Sequence, residues 1–171
     1  MKRKGKRLLS ALLAALIFVA AFPGMTALAA NRNVTFGISP AGGGKIKLEY
    51  RALFGLMWRE HADSEFSSSS KTASVSDSET WRVTATPASG YRFVNWTASS
   101  GISLSGGATG QSNNGFSGFS NGSWLTANFV RTYSLTTSAT GGSISASPAS
   151  PTGNGYYDEG TLVTLTATPS S

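Results

Sequence analysis

From Asn31 onward, apolar and polar residues alternate in short runs separated by glycine and proline. In the segment Trp81 to Pro87, Trp81, Val83 and Ala85 fall on one side of an extended chain, and Arg82, Thr84 and Thr86 on the other. A period of two marks a half-buried strand. Pro87 ends it, because proline has no N–H for a ladder and drives the preceding Thr86 toward extended geometry. Gly90 turns the chain, and Tyr91 to Trp96 reads as the next strand. Trp124 to Val130 is a strong strand, with Leu125, Ala127 and Phe129 on one face and Trp124, Thr126 and Asn128 on the other. Between them, Thr97 to Asn121 reads as loops around one weak strand near Gly101, with isolated Ile102, Leu104, Phe116 and Phe119.

The strand TATPASGYRFVNW poses a problem. Alternation puts Tyr91 and Phe93 on one face and Val94 and Trp96 on the other. A strand buried on one side cannot hide all four. Either a β-bulge realigns the aromatics, or the strand is central and covered on both faces. Both solutions make the aromatics core rather than an exposed platform.

The pattern occurs twice. The stretch Asn33 to Lys45 resembles Thr132 to Ile144, each a strand followed by a glycine turn. Ser78 to Gly90 resembles Gly160 to Ser171, with Trp81, Val83 and Ala85 matched by Val163, Leu165 and Ala167. The first copy carries about sixteen more residues within 47–78. There Leu53, Phe54, Met57, Trp58 and His61 have the spacing of an amphipathic helix near 51–62. Ile46, Leu48 and Tyr50 instead alternate as a strand that could continue. The second copy has no counterpart of Tyr91 to Val130, so the expectation is a stretch of a longer repeat array.

The first residues belong to a different pattern. Basic MKRKGKR precedes a fifteen-residue, mostly apolar run, Leu8 to Phe22, and then Ala27-Leu28-Ala29. This is the order of a secretory signal peptide, with a mature start near Ala30. The run is short for a bilayer span of roughly 20 residues. The leader holds five of the fourteen Lys and Arg, which lowers the net charge from +6 to +1. The remaining basic residues are scattered, so no nucleic-acid partner is expected. Membrane contact is expected only through the signal peptide during export. The absence of cysteine excludes thiol catalysis and leaves packing, repetition or bound ions to stabilise an exported chain.

The chemistry-bearing residues form no frame. His61 is the single histidine, and no G-x-S-x-G elbow is present. The carboxylates Glu49, Glu60, Asp63, Glu65, Asp77, Glu79, Asp158 and Glu159 fall in no recognised catalytic pair. Asp158-Glu159-Gly160 reads as a polar turn with solvated charges, and AGGGK before Ile46 as a hairpin turn rather than a phosphate loop. No catalytic residue, cofactor or metal site is expected. The aromatics outside the strand pattern, Tyr50, Trp58, Phe116, Phe119, Tyr156 and Tyr157, are candidates for stacking on a sugar or anchoring a protein. Asn33-Val-Thr, Asn95-Trp-Thr and Asn121-Gly-Ser match the N-glycosylation sequon.

The stretches AGGGKI, VTATPASGYRFVNW and LTANFV, with TGGSIS and DEGTLVTLTATP in the second copy, resemble the divergent internalin-B-type B repeat of bacterial surface proteins. The resemblance implies a mainly β fold of small tandem modules, β-sandwich-like or β-grasp-like. It makes Tyr91, Phe93 and Trp96 core. It implies a non-catalytic spacer or adhesion module on a secreted or cell-surface protein, with cell-wall or host glycans or surface proteins as partners. The alternatives are a carbohydrate- or protein-binding module, or accessory repeats of a larger secreted enzyme. The expected organisation is a signal peptide over 1–29, a first repeat over 31–130 with an insertion around 47–78, and an incomplete second repeat over 131–171.

Overall fold

A computed structural model describes residues 29–51 and 57–170. The signal peptide expected over 1–29 therefore lies, apart from Ala29, outside the described residues. So does the 52–56 part of the alternative helix near 51–62. Among the described residues every regular element is a strand.

Two sheets face each other. The first has the order β4 (Ser70–Ser76), β1 (Asn31–Ser39), β9 (Trp124–Ser134), β6 (Tyr91–Ala98). The second runs β3 (Arg59–Glu60), β2 (Gly44–Arg51), β5 (Thr80–Pro87), β8 (Asn114–Ser117), β7 (Ser103–Leu104). Their inner faces supply the core. Val34, Phe36, Leu125 and Ala127 from the first sheet meet Ile46, Leu48, Trp81 and Val83 from the second, all buried. Phe36 and Phe116 touch edge to face across the gap, with centroids 5.7 Å apart. This is the β-sandwich-like alternative.

Close packing explains one glycine of the AGGGK turn. A Cβ on Gly44 would lie 2.4 Å from the Phe129 ring and 2.6 Å from the Thr86 carbonyl oxygen. The turn lets β2 pass directly beneath the aromatic that closes that end of the core.

The stretch 47–78 does not behave as a simple insertion. Tyr50 pairs with Arg59 and Glu49 with Glu60, so the strand alternative describes the chain on both sides of 52–56. β4 is a full member of the first sheet, paired with β1 from Asn31–Ser76 to Gly37–Ser70. Its counterpart in the second copy is β11 (Tyr156–Asp158), which pairs with Thr132 to Ser134 of β9.

The second copy also repeats the β2–β5 ladder. β10 (Gly142–Ser147) pairs with β12 (Thr164–Pro169) so that Gly142 faces Pro169 and Ile144 faces Ala167. In the first copy Gly44 faces Pro87 and Ile46 faces Ala85. The register is the same, but every residue of β12 is exposed.

Candidate functional site

The aromatic strand resolves by a bulge. β6 pairs with β9 through Phe93–Phe129, then resumes at Asn95–Asn128, leaving Val94 unpaired. The extra residue rotates the chain so that Phe93 and Trp96 point the same way. They are 8% and 2% exposed, while Val94 is 37% exposed. Phe93 touches Trp96 and Phe129, with centroids 5.5 and 5.9 Å apart. Tyr91 packs against the rim of the same core.

Trp96 also anchors the glycine-rich loop. Its Nε1–H donates to Gly110 O at 2.7 Å, and its backbone N–H to Ala108 O at 2.7 Å. On the other sheet, Ala85 N–H donates to Gln111 O. The loop thus ties β6 to β5 across the open side of the sandwich. Its inner support is Asn114, buried in β8. Asn114 Oδ1 accepts from Gly106 N–H, and Nδ2 donates to Gly107 O and Gly110 O. Three bonds to backbone satisfy a buried amide that would otherwise cost about 1–3 kcal/mol.

At the other end of β6 the two copies meet. Thr132 N–H of β9 donates to Gly90 O on one side, and Arg131 O accepts from Glu159 N–H on the other. β6 and β11 therefore hold opposite edges of the same strand. Arg92 is paired with Val130 and Asp158 with Thr132, so both side chains stand on one face of β9. They close over it as a forked ion pair, with Arg92 Nε donating to Asp158 Oδ1 at 2.6 Å and Nη2 to Oδ2. The guanidinium's hydrogen bonds hold the Asp158 carboxyl below its ordinary range, against a smaller opposing effect of burial. The solvated turn expected for Asp158-Glu159-Gly160 is corrected here: Asp158 is a structural partner, and Glu159 accepts from the Tyr133 hydroxyl at 3.2 Å. An open cleft of about 260 Å³ lies beside the pair, lined in part by Tyr91, Asn154 and Tyr156.

Most of the candidate binding aromatics are used internally. Phe116 is buried, and Phe119 packs on it at 5.5 Å. Tyr157 is buried and Tyr50 stacks against Trp81 at 5.3 Å. The Arg82 guanidinium carbon lies over Trp58, 4.1 Å from the ring centroid. Arg82 also binds Glu49, which in turn meets Lys47, and Lys47 reaches Glu60 at 2.6 Å. Hydrogen bonding from Arg82, more than from Lys47, pulls the Glu49 carboxyl down. His61 packs beside both Tyr50 and Trp81, with centroids 6.3 and 5.5 Å away, and accepts the Asp63 N–H at Nδ1. Tyr156 remains exposed, as does Trp124 at 43%. Alternation groups Trp124 with Thr126 and Asn128 but does not show which face of β9 is covered.

Among the described residues no group of three or more His, Asp or Glu could hold a metal ion. The family model for the divergent InlB B-repeat domain matches residues 62–132 and 133–171, more than half of the chain. The chain belongs to this family. The two matched segments abut at Thr132 and Tyr133, inside β9. Divergent InlB B-repeats are non-catalytic modules. No curated protein and no solved structure matches the chain.

Proposed function

We infer that this divergent InlB B-repeat chain is an exported spacer and adhesion scaffold of a bacterial surface or secreted protein. The leader supports export, with 31–130 and 131–171 as successive repeats. The observation that carries the spacer role is β9. It runs without interruption from the core of the first copy into the ladder with β11 of the second. A boundary inside a paired strand leaves no linker at that point, and β11 of the second copy is held directly on β9 of the first. That direct hold suits a module that holds a neighbour away from the cell envelope. The experiment is replacement of 31–170 in the exported chain by an unrelated folded segment of similar span. A spacer tolerates the exchange; loss of the host protein's surface function despite normal display overturns the reading.

Adhesion is favoured by one further observation. The outer face of β4–β1–β9–β6 carries Thr72, Thr35, Thr126, Asn128, Asn95 and Thr97, with Trp124 at one end. Uncharged hydroxyls and amides beside an exposed indole suit a neutral polysaccharide, which offers hydroxyls and an apolar sugar face. Trp124→Ala should weaken retention on such a glycan without changing thermal stability. Unaltered retention sinks this second reading.

A further inference from the structure

β1 and β9 are parallel neighbours, with Thr35 opposite Trp124 and Ser39 opposite Asn128. The chain enters the first copy at the start of β1 and leaves it at the end of β9. In a parallel pair those two points lie at opposite ends of the ladder. Tension between them pulls the strands past each other, so the ladder bonds share the load and must fail together. An antiparallel pair pulled from neighbouring ends unzips one bond at a time.

We propose that the β1–β9 ladder is a load-bearing clamp, making the first repeat a force-resistant link in its parent protein. The clamp is longer than its paired residues. Thr35 N–H donates to Ser123 O and Gly122 N–H to Asn33 O, both at 2.9 Å. Asn33 N–H is held by Asn121 Oδ1, also at 2.9 Å. Each strand is braced on its far side, β1 by β4 and β9 by β6. Beneath the ladder, Val34, Phe36, Leu125 and Ala127 are fully buried, which keeps water from competing for its bonds on that side. The downstream end of β9 is gripped by Gly90 on one edge and β11 on the other. The clamp rests on the spacer reading only in that tethering supplies the tension.

Single-molecule pulling tests it. The chain has no cysteine, so introduced pairs define the handles. Asn31→Cys with Ser134→Cys loads β1 and β9 in shear. Asn31→Cys with Ser76→Cys pulls at one end of the antiparallel β1–β4 ladder, because those residues face each other. At equal loading rate the first pair should rupture at severalfold higher force. Equal forces in the two directions overturn the proposal. Thr35→Pro, which deletes the N–H bonded to Ser123, should lower the shear force more than Val83→Ala brought to the same loss of chemical stability. If both variants lose force in step with stability, the clamp is also overturned. If Thr35→Pro does not fold, the handle comparison in the unsubstituted chain decides. A chain without directional resistance that still serves as a surface spacer would remove the clamp alone. A strong clamp in a chain never exported would remove the spacer reading alone.

Discussion

Phe93, Val94 and Trp96 show how one residue changes the meaning of its neighbours. Phe93→Ala should cost about 3–5 kcal/mol, because it empties a site closed by Trp96 and Phe129. Val94→Thr, on the bulge and exposed, should change stability by less than about 0.5 kcal/mol. Urea unfolding of the two variants separates them, and similar losses would place the bulge elsewhere. Gly44→Ala should cost about 1–3 kcal/mol, since the Thr86 carbonyl it would strike is part of a ladder and cannot swing aside. That the aromatics are core was legible from alternation together with their number. Which residue is extra was not. Val94 is as apolar as a core residue, and only pairing with β9 shows that the ladder skips it.

At the scale of elements, strands were legible where three or more apolar residues alternate, but β4 and β8, with only two buried positions each, were not. Trp81, Val83 and Ala85, or Leu125, Ala127 and Phe129, announce their sheet face directly. The loop of 105–113 was not legible, because glycine, serine and asparagine carry no period. Its order comes from Asn114 and Trp96, which bind its backbone from two different strands. The Arg92–Asp158 pair was hidden for a related reason: 66 positions separate its members, and a third strand lies between them. Its pH behaviour follows from the sign of the shift. Asp158 is depressed below its reference of 3.8 when folded, so the pair's contribution is complete above that value. It is lost as pH falls through the lower folded value. Hydrogen exchange at Glu159 N–H should accelerate in Asp158→Asn at neutral pH, relative to the parent chain. The difference should close on acidification below the folded value. A difference that persists at low pH would assign the effect to backbone pairing instead.

The whole molecule divides its labour between its two outer faces. One carries the Lys47, Glu49, Glu60 and Arg82 network; the other is uncharged across Thr35, Thr126, Asn128 and Asn95, with the Arg92–Asp158 pair beyond them. The repeat was legible because the glycine turn and TATP recur, and the β2–β5 register recurs with them in β10–β12, down to the equivalent bonds from Ala88 N–H to Gly43 O and Ser170 N–H to Gly141 O. The sharing of β9 was not, since a strand that ends one repeat and begins another reads as two matches end to end. A two-stranded ribbon with no covered face is marginal in water. Amides of β10 and β12 should therefore exchange well before those of β1 and β9, as read by mass spectrometry. Uniform protection across all four strands would show that the ribbon is covered in solution.

The continuous β9 also decides where such a gene can be cut and rejoined. In proteins built as beads on a string, insertions collect in the connectors between beads. Here one residue added between Phe129 and Tyr133 would swap the faces of Thr132 and Tyr133, taking Asp158 away from Arg92 and turning Tyr157 outward. Length variation is thus forbidden at the very boundary between copies. It is admitted instead in the exposed turn of 148–154, inside the second copy, where no ladder keeps count.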